Sequence, residues 1–177
     1  MIELIEIDRI KRAKAAMKDV VLTTSLQKNK YYSDLYSSNI LIKREDEQLV
    51  KSFKIRGAYN KINNLSKEKK NNGIVCASAG NHAQGFALTC KLKKIIGYVF
   101  MPKTTPKLKI NKVKEFGGEF VEIILTGKDF YDAFDESVIF CNEKKLNFIH
   151  PFNDYEIIEG QATLFLEILN QTDVSLD

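Results

Sequence analysis

Apolar positions recur at helical spacing near the start of the chain. Ile7, Ile10 and Met17 fall near one face of a helix over 7–17, with charges on the other. Residues 39–42 (Asn-Ile-Leu-Ile) then read as a short buried strand. Ser52 predicts an N-cap for a helix running through Ala58, Ile62 and Leu65. From Gly73 the pattern becomes regular: a strand over 74–79, a small-residue helix over 83–92 packed closely on a neighbour, and a second strand over 95–101. Pro106 belongs in the first turn of the next helix, where its fixed φ suits and its missing donor is not needed. Ile110, Val113 and Phe116 face inward there, and Gly117-Gly118 ends it. A third strand follows over 120–125, then a helix over 129–145 with Phe130, Ala133, Phe134, Ser137 and Cys141 on one face. Phe148-Ile149 predicts a short fourth strand and 157–169 a last helix. Strands alternating with helices of this length predict the α/β class: an open parallel sheet with flanking helices, joined by right-handed crossovers.

Composition narrows the function classes. An apolar share of 44% and a charged share of 28% over 177 residues suit a folded domain with its own core and exclude disorder along the whole length. The net charge of +4 is too mild to imply a nucleic-acid or membrane partner. Glu3, Glu6, Asp8, Arg9, Lys11 and Arg12 interrupt the amino-terminal apolar residues, so no secretory leader is expected. The longest apolar run, 95–101, is far short of a membrane span. Cys76, Cys90 and Cys141 form no CxxC or metal pattern and read as reduced, mostly buried thiols. A cytoplasmic location is expected.

Two stretches carry candidate chemistry. In Ser52-Phe53-Lys54-Ile55-Arg56-Gly57, Lys54 opens a helix between apolar neighbours. Most lysines are solvated, but one desolvated by such neighbours loses its proton readily and becomes a nucleophile. In Ser78-Ala79-Gly80-Asn81-His82-Ala83-Gln84-Gly85, a turn joins a strand to a helix. Free backbone N–H groups and the positive end of a helix dipole make such a turn a site for a carboxylate or phosphate. The plain alternative is a capped helix with a tight entry turn.

Together, SFKIRGAYN and SAGNHAQG resemble the signature of the threonine/serine dehydratase branch of fold-type-II pyridoxal-phosphate enzymes. Lys43-Arg44-Glu45-Asp46, Met101-Pro102-Lys103-Thr104-Thr105-Pro106, His150-Pro151-Phe152-Asn153-Asp154 and Gly160-Gln161 agree with it, and the resemblance runs from about Thr24 to about Leu169. It implies pyridoxal 5'-phosphate as cofactor and conversion of L-threonine to 2-oxobutanoate and ammonia, an isoleucine-pathway type of reaction. By the resemblance, Lys54 would carry the cofactor and later take the Cα proton. Phe53 would pack on the cofactor ring, and Asn81 would hydrogen-bond its 3-hydroxyl group. Ser78, Ala79, Gly80, Asn81 and His82 would hold the substrate carboxylate through backbone amides. Serine racemase-like relatives carry a serine as second acid/base where this chain has Ala79, which favours dehydration.

The resemblance also implies a division: 1–51 as the amino-terminal segment of a larger domain, 52–154 as a small α/β domain, and 155–177 as the return into the larger one. Family members continue into a glycine-rich phosphate loop. Here the nine glycines are scattered, with only Gly117-Gly118 adjacent, and Ala162 stands where a glycine is common. A truncated or split copy is therefore expected. It would act as a homo-oligomer or with a separately encoded second half, or else persist as a silent remnant, and its amino-terminal segment and last helix would leave apolar surface exposed. No metal is expected, because His82 and His150 are the only histidines; His150 reads as structural. Lys103, Lys107, Lys109, Lys112 and Lys114 suit a solvated helix face better than a nucleic-acid surface.

Overall fold

The computed structural model describes residues 4–173; Glu3, one of the amino-terminal charges, and the last four residues lie outside them. In chain order the elements are α1 (Ile7–Ala16), β1 (Leu26–Lys28), α2 (Lys30–Tyr36), β2 (Leu41–Lys43), α3 (Lys54–Asn64), α4 (Lys67–Asn72) and β3 (Ile74–Ala77). They continue with α5 (Asn81–Lys93), β4 (Gly97–Pro102), α6 (Lys107–Gly117), β5 (Val121–Thr126), α7 (Phe130–Glu143), β6 (Asn147–Phe148) and α8 (Tyr155–Gln171).

The four later strands form one parallel sheet in the order β5-β4-β3-β6. All of β3 is buried, as an apolar strand covered on both faces must be. Alternate residues feed two layers. Ile74, Cys76, Val99 and Met101 pack with Phe86 and Cys90 of α5 and Val113 of α6. Val75, Ala77 and Phe100 face the other way, onto Phe134, Phe140 and Cys141 of α7. The α/β class with an open parallel sheet and flanking helices is therefore what the chain forms.

Outside the sheet, α3 runs between α5 and α8, while α1 rests on α8. Ala13 and Met17 pack with Ile55 and Tyr59 of α3. The far side of α8 leaves Phe165 and Leu169 58% and 52% exposed.

Several boundaries differ from the sequence expectation. The strand expected at 39–42 is β2, which is half-buried and pairs antiparallel with β1, outside the parallel sheet. Ser52 is not the N-cap of α3. Phe53 holds that position, and the Ser52 hydroxyl accepts from the Lys54 amide at 3.2 Å. Pro106 precedes α6 with an extended ψ of 138° instead of lying inside its first turn. The strand expected from 95 begins at Gly97, where its pairing with Ile74 of β3 and Val121 of β5 starts. Strands β5 and β6 begin at Val121 and Asn147, Phe120 lying in a 3-10 turn. Helix α5 starts two residues early, at Asn81.

Candidate active site

The order β5-β4-β3-β6 means that the sheet grows one way from β3 to β4 to β5, then adds β6 on the opposite flank of β3. Winding reverses between β3 and β6. The crevice beyond the carboxyl ends of two such strands is where open α/β sheets take ligands. Two segments leave the sheet there: Ser78–Gly80 after β3, and His150–Pro151 after β6.

The first segment is built to expose amides. Ser78 donates its N–H to Phe100 O (3.0 Å), and its hydroxyl accepts from the Gly80 N–H (3.2 Å). Gly80 occupies the N-cap of α5 and supplies no side-chain acceptor, whereas Asp129 and Asp154 cap α7 and α8 with theirs. The first helical bond of α5 runs from Gln84 N to Gly80 O. The amides of Asn81, His82 and Ala83 therefore come ahead of the helical ladder, at the positive end of a 13-residue helix. A Cβ built on Gly80 would meet nothing within 4 Å, so the turn opens onto free space.

Lys54 reaches the second segment. Its ammonium donates to Pro151 O at 3.0 Å and lies 5.3 Å from the Phe53 ring centroid. Among the described residues no carboxylate pairs with it. Burial alone pulls its pKa below the ordinary lysine value. Gly85 brings the amine and the turn together. A Cβ there would stand 3.1 Å from Ile55 Cα and N and 3.2 Å from the Lys54 carbonyl carbon, tight enough that a side chain would press α5 and the start of α3 slightly apart.

The five loop residues and Lys54 thus share one end of the sheet. Phe53 and Asn81 are exposed, Lys54, Ser78, Ala79 and Gly80 half-buried, and His82 buried. Sequence reasoning missed Pro151 as the partner of Lys54 and Gly85 as the close approach. A glycine inside an apolar helical stretch was the signal available for Gly85. From Asn81 and Gln84 a groove of about 620 Å³ runs out to Leu108, Lys112 and Phe116, with 49–51 as its other wall.

The histidines divide between the two segments. His82 is buried, its Nε2 lies 3.2 Å from Ile149 O, and its Nδ1 has no partner. Burial, with smaller contributions from the charges of Lys54 and His150, lowers its pKa to about 4. His150 is structural: its Nδ1 accepts from the amides of Phe152 (3.2 Å) and Asn153 (2.7 Å). No group of three or more His, Cys, Asp or Glu among the described residues is placed to hold a metal ion. No helix among them is long and apolar enough to cross a membrane. The α6 lysines Lys107, Lys109, Lys112 and Lys114 are exposed, and Lys112 pairs with Glu115 at 2.8 Å.

The chain is similar to known proteins over most of its length. Residues 17–177 match the model of the pyridoxal-phosphate dependent enzyme family. The biosynthetic L-threonine dehydratase IlvA of Halalkalibacterium halodurans is 50% identical over 173 residues, 98% of this chain and 42% of that protein. The same-named protein of Bacillus subtilis is 50% identical over 170 residues, 96% of this chain and 40% of its own length. Among solved structures, the processed threonine deaminase isoform 2 of Solanum lycopersicum has a TM-score of 0.86 at 39% identity, covering 94% of this chain and 46% of its own. Maize serine racemase has a TM-score of 0.88 at 33% identity, covering 94% and 50%. The chain thus spans about two fifths of the length of the curated relatives it matches.

Proposed function

Because the chain belongs to the family of pyridoxal-phosphate-dependent enzymes, we propose that the Lys54 crevice is the lysine-bearing wall of a threonine ammonia-lyase, which converts L-threonine to 2-oxobutanoate and ammonia. The observation that carries this reading is a half-buried amine whose described acceptor is a carbonyl, not a carboxylate, set beside the uncapped head of α5. The relatives named above as threonine dehydratases and threonine deaminase supply the substrate class.

The residues present fit the cofactor on the amine side and the ring side. Lys54 has no counter-ion to hold its proton, and the space over Gly80 is free. Pyridoxal phosphate, when bound, supplies the electron sink that stabilises negative charge on the amino-acid Cα. The chain's own residues do the rest. Lys54 would hold the cofactor's aldehyde carbon, and its amine, whose pKa burial lowers, would be the base facing the Cα proton. Within the Ser78–His82 turn the amides of Ala79, Asn81 and His82 would hold the substrate carboxylate and fix the Cα–H toward that amine, those of Ser78 and Gly80 being already bonded to Phe100 O and the Ser78 hydroxyl. Asn81 would offer its side-chain amide to the ring hydroxyl, and Phe53 would cover the ring. Ala79 has no proton to deliver to the opposite face of Cα, so loss of the β-hydroxyl is favoured over inversion. The phosphate has no glycine-rich cradle in this sequence, since Gly117-Gly118 only closes α6.

With this reading goes a division of labour: 52–154 form the small domain, while 1–51 and the 155–177 return belong with a larger one. The test is borohydride reduction of the purified protein after incubation with pyridoxal phosphate. A reduced adduct on Lys54 by peptide mass spectrometry is expected, lost in Lys54→Ala. An unlabelled Lys54, or labelling spread evenly over surface lysines, overturns the assignment.

A further inference from the structure

Lys54 and the amide-lined turn are joined by a short strap that neither motif contains. The strap is the stretch from Ile149 to Asn153, leaving β6. At its start, Ile149 O faces Nε2 of His82, the second residue of α5. Two residues on, Pro151 O accepts the Lys54 ammonium. Between them, His150 folds back so that its Nδ1 takes the amides of Phe152 and Asn153, which closes the strap into a turn. The His150 ring stands edge-on to Phe152 with centroids 4.6 Å apart, and Phe134 and Phe148 pack around it.

Chemistry fixes the tautomers. A carbonyl only accepts, so the His82 proton sits on Nε2 and points at Ile149 O. Nδ1 is left as a bare, buried acceptor without a donor. An unmet buried acceptor is destabilising, because it gives up its hydrogen bond to water for nothing. A leucine at this place would avoid that cost and fill a similar volume, but it would release the Ile149 carbonyl. Lys54 is on α3, His82 on α5 and Pro151 beyond β6, and these two side-chain bonds to the strap link the three elements at the crevice.

We propose that His82 is a positioning residue for Lys54: through Ile149 it fixes the strap, and the strap presents the Pro151 carbonyl that holds the amine beside the head of α5. This rests on Lys54 being the working amine, and it gives the His82 side chain a task separate from the backbone amide at the same position. The strap aims an amine that would otherwise sweep several rotamers, and it does so with one neutral carbonyl, which opposes loss of the proton less than a carboxylate would.

The test uses the full chain without cofactor. Acetylation of Lys54 is followed against pH by peptide mass spectrometry, with exposed Lys67 and Lys107 as internal standards, in wild type, His82→Gln and His82→Leu. Glutamine places an N–H close to where Nε2 stands; leucine does not. The wild-type Lys54 midpoint is expected below those of the standards. His82→Gln should keep it, while His82→Leu should move it toward the standards by about half a unit or more. A folded His82→Leu protein with an unmoved midpoint overturns the proposal. If that variant does not fold, ring ¹⁵N shifts of wild-type His82 decide instead: Nε2–H with bare Nδ1 at neutral pH supports it, and the opposite tautomer or a charged ring overturns it. Failure of the borohydride adduct in wild type would sink the functional reading, whereas the acetylation series speaks only to the strap.

Discussion

Lys54 and Arg56 lie two residues apart on the first turn of α3 and meet opposite surroundings. Lys54 points to the crevice, where a carbonyl is its acceptor and burial lowers its pKa. Arg56 points to the other side and is fully buried between two carboxylates. Its Nε and Nη2 fork onto Glu45 at 2.8 Å each, and its Nη1 and Nη2 fork onto Glu167 at 2.8 and 3.0 Å. Lys43 adds a second cation, 2.7 Å from Glu167, and the Thr24 hydroxyl donates to Glu45 at 2.7 Å. Burial opposes the Arg56 charge, yet the hydrogen bonds it donates to Glu45 and Glu167 hold its pKa above the ordinary value. One cation is neutralised by its neighbours and locks three segments together. The other has no counter-ion among the described residues and rests on a neutral carbonyl. A single helical turn thus separates a paired charge from an unpaired one, and the glycines at Gly85 and Gly160 set how closely each side is approached.

The comparison predicts a graded series of responses. The largest belongs to Arg56→Met, which strands Glu45 in the interior. Breaking a buried pair in this way costs about 3–5 kcal/mol, so urea unfolding should reveal a severely weakened or unfolded chain. An unchanged midpoint would erase the contrast.

Acid comes next, through His82. Its folded pKa of about 4 lies below the ordinary value of 6.5. Between those values the unfolded chain binds the proton and the folded one does not, so stability falls as pH drops from 6.5 to 4. The loss from this residue is at most about 3 kcal/mol. His82→Gln should lack that part of the acid limb in urea titrations and match wild type above pH 7.

Gly160→Ala should cost about 1–3 kcal/mol by overpacking. Its Cβ would fall 2.5 Å from Arg56 O and 2.6 Å from Gly57 Cα, forcing α8 away from the Arg56 forks. Thermal melts check this, and a neutral outcome would mean that the α3–α8 contact yields easily. The smallest effect is that of Lys54→Met, within about 0.5 kcal/mol at neutral pH. Below its folded pKa the wild-type amine carries its full burial penalty, and that penalty fades as pH rises toward 10.5. Any gain from methionine should therefore shrink in alkaline melts. A loss as large as that at Arg56 would make Lys54 a structural cation after all.

How far the sequence reveals this depends on range. The parallel strands were legible because β3 and β4 are short, apolar and bounded by glycines and helix signals. The turn at Ser78–His82 was legible because its residue types are unusual at a strand end. Helices α2 and α4 were not: Lys-Tyr-Tyr-Ser-Asp-Leu-Tyr and Lys-Glu-Lys-Lys-Asn-Asn are short, mostly exposed, and held by the caps Asn29 and Ser66 rather than by an apolar stripe. The Arg56 forks were hidden for another reason. Glu167 lies 111 residues away and carries no local mark of burial, and His82 is 67 residues from Ile149. Pairing of buried polar groups across the chain has no period to read.

The three cysteines have a use that follows from their layers. Cys76 of β3 and Cys90 of α5 lie in the layer between the sheet and α5 and α6, and Cys141 is on α7 in the layer on the opposite face. All are free and buried, and burial raises their pKa, so they stay protonated and unreactive while the layers are shut. Each is a built-in stopwatch: a maleimide added to the native protein records when the cover over that particular sulfur lifts, separately for each side of the sheet.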